Sequence, residues 1–456
     1  MKKLLLLSIA ASAVVFAGGD IKEVVVPETV EVKPCPTSNL KWYGQTVLYY
    51  QTVENGVAVA DNELFDGDVS RANAGLKLGV VGSNIADTGI GFGVEIVALG
   101  SLGLEKDGDA VAVPAPAGFV DGGADGIVND YVFGTMQTTD VGDINGGALT
   151  QAYLTYTAGN TTAKLGRMYL PKNLSPFAFS EKWNVFSNSF EAALLVNTDI
   201  ADTTLVGAWV ARSNGINNLG AWADMGANDN GVFLLTAVNK SVAGLTLTGS
   251  FYYLSEAGLL TEDAYALWGD AKFSTKLAGN TINVAAQGGL LDVDAADPTI
   301  AYGVKAGGNF AIPAFGSVAL CAAYTGVDLQ NGAGNLAVRN LGTGNKTPLY
   351  TQMIANQAAI SGATSLNGTA DTIMVKAAAT YDLPAIGATT LSVGYGMTTR
   401  ENGAGVDMDD YNELDVVATA KIGNAQVLAA YVSTEFDNNT DADDNDIVRV
   451  WAKWNF

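Results

Sequence analysis

Histidine is absent from the 456 residues, and cysteine occurs only twice, as Cys35 and Cys321. Without imidazole, Ser-His-Asp catalysis and histidine-based metal sites are excluded. No other enzyme constellation stands out, so no catalytic residue and no cofactor are expected. The two cysteines lie in unlike settings, a Pro-rich leader and a strand-like stretch, which is no disulfide framework. Charge is scarce at 16%, and it is lopsided: 24 Lys and Arg against 47 Asp and Glu, a formal net charge of −23. That balance argues against nucleic acid as a partner. Beyond the first seventeen residues no apolar run approaches the roughly eighteen needed for a membrane-spanning helix.

Glycine and apolar residues are plentiful instead: Gly 53, and 48% hydrophobic overall. The chain opens Met1-Lys-Lys, continues through an apolar core from Leu4 to Phe16 and reaches Ala17 followed by Gly18-Gly19. A charged start, a short apolar core and small residues at the cleavage point predict a secretory signal peptide over 1–17. Pro27, Pro34 and Pro36 then mark 18–38 as an extended periplasmic leader.

The end of the chain is the most telling segment. Counting back by twos from Phe456, Trp454, Ala452, Val450 and Val448 are apolar, while Asn455, Lys453 and Arg449 are polar, with Trp451 as the exception. Period-2 alternation is a strand whose two faces meet different surroundings. An amphipathic last strand with an aromatic terminus is what barrel-assembly machinery reads in bacterial outer-membrane proteins. Phe456 and Trp454 are therefore the expected assembly signal.

The same alternation recurs. In 40–51, Leu40, Trp42, Leu48 and Tyr50 oppose Lys41, Tyr43, Gln45, Tyr49 and Gln51; in 89–99, Ile90, Phe92, Val94 and Ile96 oppose glycines and Glu95. Eighteen such stretches of about ten residues fit tilted membrane-crossing strands. Three of the short connections carry Gly-Asn, at 158–161, 278–281 and 422–425, a good source of positive φ in tight hairpins. Long connections span about 52–70, 100–148, 170–188, 213–230, 327–370 and 437–445. Short periplasmic turns opposite long external loops define an all-β fold, a transmembrane antiparallel β-barrel of about 18 strands over 39–456. An even count leaves both termini in the periplasm.

Charge sorts with this geometry. Arg71, Lys77, Lys164, Lys272, Lys305, Lys376, Arg449 and Lys453 all fall on strand faces assigned to the lumen, as does Glu95. A charge on the lipid face costs about 2–4 kcal/mol at mid-membrane. Lys77, Lys305, Lys376 and Glu95 count nearest to mid-height, where opposed charges across a water-filled bore orient polar solutes. Arg167 breaks the phase, sharing a face with Leu165: either a bulge intervenes or it lies above the hydrocarbon. Acidic clusters at 121–130, 140–143, 401–410 and 435–446 gather at the outer mouth. There Asp441, Asp443 and Asp444 read as a hydrated loop, with divalent ions shared with anionic lipid headgroups as the alternative. The Pro-stiffened aromatic segment 170–188 is expected to fold into the barrel as a constriction loop, with Glu181 and Lys182 as its charged residues. The competing reading is a subunit contact through Phe177, Phe179 and Trp183.

Thr162-Ala-Lys-Leu-Gly-Arg-Met168, Phe179-Ser-Glu-Lys-Trp183, Ser189-Phe-Glu-Ala-Ala193 and Asp202-Thr-Thr-Leu-Val206 follow one another in order. This stretch resembles the Opr-type major outer membrane porins of epsilonproteobacteria, distantly related to the OprD channels. Lys346-Thr-Pro-Leu-Tyr350 is similar to a further family segment, while Met168 stands where the family has Gln. The resemblance implies an 18-stranded barrel in the outer membrane and a homotrimer amid lipid and lipopolysaccharide. It also implies passive diffusion of small hydrophilic solutes with a weak cation preference, past an inward third external loop. Two other readings stand beside it. A substrate-specific OprD-like channel would need an ordered ladder of Lys or Arg. A surface adhesin or surface-layer protein would leave the terminal strand pattern without a reason.

Overall fold

The computed structural model describes residues 39–55, 63–65, 70–102, 146–215, 219–226, 230–255, 263–294, 297–313, 316–329, 336–361, 368–384, 386–402, 407–437 and 444–456. The expected signal peptide, leader and Cys35, and the acidic clusters at 121–130 and 140–143, lie outside them.

Among the described residues, nineteen strands form one sheet. They are β1 (Asn39–Asn55), β2 (Ser70–Ser83), β3 (Ile90–Ser101), β4 (Gly146–Ala158), β5 (Thr161–Met168), β6 (Phe190–Asn197) and β7 (Thr203–Asn214). The next are β8 (Trp222–Asp224), β9 (Val232–Asn239), β10 (Leu245–Leu254), β11 (Ala264–Leu277), β12 (Asn280–Val293) and β13 (Thr299–Ile312). The last are β14 (Gly316–Leu329), β15 (Gly368–Leu383), β16 (Gly387–Asn402), β17 (Asp407–Ile422), β18 (Ala425–Phe436) and β19 (Asn445–Asn455). All pairings are antiparallel, and β19 returns to pair with β1 from Gln45↔Asn455 to Asn55↔Asn445, which closes the sheet. The three-residue β8 pairs with β7 alone. The wall is therefore an 18-stranded antiparallel barrel, the fold class that the alternation predicts. Closure pairs both edges of the wall strands, the requirement for strands in hydrocarbon.

The hairpins show why the short turns are short. At 158–161 and 422–425 the two-residue loops are Gly159-Asn160 and Gly423-Asn424, with Gly φ of +58° and +62°. At 277–280 the loop is shifted back by one: Leu277 pairs with Asn280, and Ala278 and Gly279 both take positive φ, +50° and +83°. That is the I′ geometry that matches strand twist, reached here with an alanine.

One face of each strand is apolar and outward. Leu48, Val94, Ile96, Leu154, Leu165, Leu235, Leu267, Val304, Leu320, Val375 and Val393 are all exposed, whereas their strand neighbours are buried or half-buried. Several inner and outer positions are glycines on which an aromatic ring from the directly opposite residue rests: Tyr43 on Gly79, Tyr153 on Gly93, Trp268 on Gly289 and Tyr302 on Gly326. A Cβ at Gly79 would lie 2.2 Å from Tyr43 Cζ, so only glycine leaves room for the ring.

The interior is not an empty polar tube. Residues 169–189, between β5 and β6, and residues 336–361, before β15, pack against the inward faces. Phe177 meets Tyr252 and Trp268 edge-on at 5.5 and 5.3 Å, with no exposure to solvent. Trp183, Val185 and Phe186 join Val47, Tyr49, Leu428 and Trp451. The Trp451 exception is explained by this: it faces inward, where a loop rather than water covers it. In the second segment, Tyr350 and Met353 pack with Cys321, Ala323 and Met374.

Candidate functional site: the charged lumen between two inward loops

The two inward segments are tied together by one carboxylate. Glu181 is 2% exposed, and its oxygens accept from Asn340 Nδ2 at 2.9 Å, Asn345 Nδ2 at 3.3 Å, the Lys346 backbone N–H at 3.2 Å and Thr343 Oγ1. Asn340 further donates to the Phe179 carbonyl at 2.8 Å and accepts from the Phe179 N–H at 3.2 Å. Burial pushes the Glu181 carboxyl up, opposed by these donors and by the nearby Lys346 charge. The Lys346 ammonium donates to the Ile354 carbonyl at 2.6 Å, and burial lowers it to about 8. Glu181 thus fastens one loop to the other instead of lining a bore: it is buried, with three of these donors on Oε1 and the fourth on Oε2. Lys182 beside it remains partly exposed.

The wall charges divide in the same way. Glu95 is 2% exposed and accepts from Tyr43 Oη at 2.9 Å, Thr150 Oγ1 at 2.6 Å, Gln151 Nε2 at 3.2 Å and Tyr169 Oη at 2.5 Å. Lys77 is paired with it at 3.7 Å and lies over the rings of Tyr169 and Phe186. Thr150 reaches Glu95 because the β3–β4 register shifts there and turns an extra residue inward. Arg449, expected as a pore charge, is 1% exposed: it donates to Gln51 and to the Trp183 carbonyl, and stacks on Tyr49 and Trp183. Lys453 likewise holds the Asn184 carbonyl at 3.3 Å. These two cations clamp the first loop to β19. Their place in the lumen follows from alternation; their burial follows from the loop, which strand periodicity does not show. Lys164 lies 3.7 Å over the Tyr153 ring, and Arg71 bonds the Ser70 carbonyl at the external end of β2.

A further set of wall charges forms a row on one side, with Lys272 its exposed member and Lys305 and Lys376 partly buried. Lys272 on β11 is opposite Ala285, which is opposite Lys305 on β13; Lys305 is opposite Ala323, and the neighbouring Cys321 is opposite Lys376 on β15. Three lysines on alternate strands are thus spaced by the small residues Ala285, Ala323 and Cys321, against which Tyr350 and Met353 of the second loop pack. Lys272 is paired with Asp270 at 3.1 Å yet its side chain stays 60% exposed, and Lys376 lies 4.0 Å from Asp415. Tyr350 reaches over this row, donating to Asp270 Oδ2 at 2.6 Å, and its ring lies under Lys272 and Lys305. Gln287, between Asp270 and Gly303 in register, is buried with both amide atoms lacking a hydrogen-bond partner among the described residues. Sequence reasoning missed Tyr350 and Gln287 as lumen groups, and missed the order of the lysines, because heights on different strands are fixed only by register.

Three further sequence expectations have definite places. Arg167 needs no bulge in β5, whose pairings to β4 and β6 are regular; it faces outward at the external end, bonded to Glu191 at 2.7 Å. Phe456 and Trp454 are exposed at the opposite end, and Phe456 exchanges backbone hydrogen bonds with Gly44 while its ring lies where a Gly44 side chain would sit. Asp444 accepts from the Phe436 N–H at 2.9 Å, Asp441 and Asp443 lie outside the described residues, and no metal-holding group of residues occurs among those described.

The sequence matches no protein-family model and no curated protein. The fold, however, is shared with solved barrels of Pseudomonas aeruginosa, one of them named an outer membrane protein. The Pseudomonas aeruginosa structure of OccD3 (OpdP) is 14% identical, covering 91% of this chain and 91% of that chain at a TM-score of 0.64. OpdK of the same organism, solved with vanillate, is 12% identical over 91% and 98% at 0.65, and OccK9 (OpdG) is 15% identical over 92% and 98% at 0.65. At these identities the likeness is one of architecture: a closed barrel of outer-membrane type.

Proposed function

We propose that this chain is an outer-membrane porin, a passive channel for small hydrophilic solutes and ions. The observation that carries this is the pairing of an apolar outer wall with an inner row of lysines, Lys272 exposed among them, beside two inward loops. Such a wall needs lipid outside, and charged groups at that depth need water inside. Solutes then move down their gradients, selected by size and charge at Lys182, Lys272, Lys305 and Tyr350, without a chemical step. The kinship to epsilonproteobacterial major porins, export by a cleaved signal peptide and assembly as a homotrimer belong to the same proposal. So does a weak cation preference, supported by the carboxylate excess and by the pairing of Lys77, Lys272 and Lys376 with Glu95, Asp270 and Asp415. Single-channel recording in a planar bilayer under a KCl gradient tests the conduction, the subunit number and the selectivity. Ohmic steps in threes with reversal toward K⁺ are expected; folded protein that yields no steps would overturn the open-channel reading.

One observation favours a narrower reading. The Lys272, Lys305 and Lys376 row with the unpartnered Gln287 is the ordered set that a solute-specific channel needs, and it suits an anionic solute. Saturable block of the KCl current by a small carboxylate would select this reading over general diffusion.

A further inference from the structure

The outer wall carries one group of charges that the lumen does not explain. Arg167, Glu191 and Arg212 follow one another in register across β5, β6 and β7, all on the outward face at the external end. Arg212 faces outward because the β6–β7 register shifts between Glu191 and Ala192. One register step nearer the membrane centre runs an outward aromatic row, Trp209, Phe233, Tyr253 and Tyr265, each directly opposite the next. Rows of aromatic side chains on barrels mark the level where hydrocarbon gives way to headgroups. The arginines therefore stand at headgroup height.

Their bonding leaves capacity. Arg167 donates to Glu191 Oε1 at 2.7 Å and to the Leu149 carbonyl at 2.6 Å, and Arg212 donates twice to Glu191 Oε2, at 2.9 and 2.5 Å. A guanidinium has five N–H donors, so each arginine keeps several that meet no protein acceptor among the described residues. Two cations share one carboxylate. β8 brings Trp222 over the Arg167 plane at 4.0 Å, which fixes that guanidinium, and sets Asp224 opposite Arg212.

We propose that Arg167 and Arg212, braced by Glu191 and Trp222, seat the phosphate of a lipid headgroup in the outer leaflet. Planar guanidiniums bind phosphate through paired N–H donors, and this pair points at lipid, not at the lumen. The proposal rests on the long-loop end facing outward and is independent of conduction.

Native mass spectrometry of the detergent-purified chain, titrated with diphosphorylated lipid A, tests it. One tightly held molecule per chain is expected, with at least tenfold weaker binding in Arg167→Gln/Arg212→Gln. Glu191→Gln should bind several-fold more tightly because the competing carboxylate is gone, an effect that an ion pair serving only to hold β8 would not produce. Lys240→Gln, at the opposite end of the barrel, should match the wild type, and dephosphorylated lipid A should bind wild type no better than the double variant. Equal binding by wild type and double variant would overturn the proposal. So would equal affinity for inorganic phosphate alone, which marks a mere anion site, or a change of subunit number with lipid affinity unchanged, which marks a contact between copies. A heat-modifiable band on gels confirms folding; if the double variant fails it, Arg212→Gln and Glu191→Gln carry the test.

Discussion

Replacing Glu181 by alanine removes the one acceptor shared by Asn340, Thr343, Asn345 and the Lys346 backbone, and strips the buried Lys346 ammonium of the foremost of its carboxylate neighbours, leaving Glu413 and Asp415. Removing one partner of a buried charged set costs about 3–5 kcal/mol. At 1.4 kcal/mol per tenfold, the undocked loops become roughly a hundredfold to a few thousandfold more populated. Apolar packing still opposes release, since Phe177, Phe186, Leu349 and Met353 are fully buried and each is worth roughly 1.5–3 kcal/mol. The docked state should therefore remain dominant, and the change should appear as brief excursions rather than a permanently wider channel. Single-channel recording should show steps of higher conductance, rare in wild type and about a hundredfold more frequent in Glu181→Ala. Glu181→Gln should be intermediate, because its amide keeps one acceptor but turns a donor toward donors, at roughly 1–3 kcal/mol. Wild-type event frequency in folded Glu181→Ala would refute the reasoning, since it would mean the loops do not depend on this tie.

Docking should also respond to pH. Lys346 is held at about 8, below its ordinary 10.5, so docking strengthens as pH rises through about 8 and onward to 10.5; Glu181 is raised, so docking strengthens as pH falls through its raised value toward 4.5. Excursions should thus be most frequent in the interval between the two, and a monotonic pH profile would contradict this. Lys272→Glu, altering the most exposed of the three lysines, should move the reversal potential further toward K⁺ with little change in step size, whereas Arg449→Gln should leave ion selectivity nearly unchanged and raise the excursion frequency. Gly79→Val should displace Tyr43 from its seat and from Glu95, costing about 3 kcal/mol from overpacking and a lost charged hydrogen bond; a lowered heat-modification temperature on gels is the check.

The eighteen wall strands are legible in the sequence because lipid and lumen impose period-2 alternation, and the Gly-Asn hairpins punctuate it. The lumen is less legible. Arg449, Lys453, Glu95 and Glu181 look from their spacing like solvated pore charges, and alternation has no means of announcing that a distant loop will cover them. The segment 170–188 draws attention through its aromatics, but 336–361 does not: its apolar Leu349, Tyr350, Met353 and Ile354 are interspersed with Thr, Gln and Asn, and much of its structure is held by side-chain to backbone bonds such as Thr347 N–H to Gln352 and Met353 N–H to Asn356. The lysine row is visible as three residues on the right face but not as a row, since Ala285 and Ala323 carry the alignment between them.

The rings resting on opposite glycines bear on a problem that faces any barrel of repetitive strands. A slip of one residue is forbidden because it turns apolar side chains into the lumen. A slip of two preserves both faces, so hydrophobicity is blind to it. Tyr43, Trp268 and Tyr302 are not: each fits over one glycine, and two residues along it would meet Lys77 or Val81 in place of Gly79, to take the first case. Each aromatic and its facing notch work as a key and lock between neighbouring strands, letting the barrel recognise its own correct alignment while it closes.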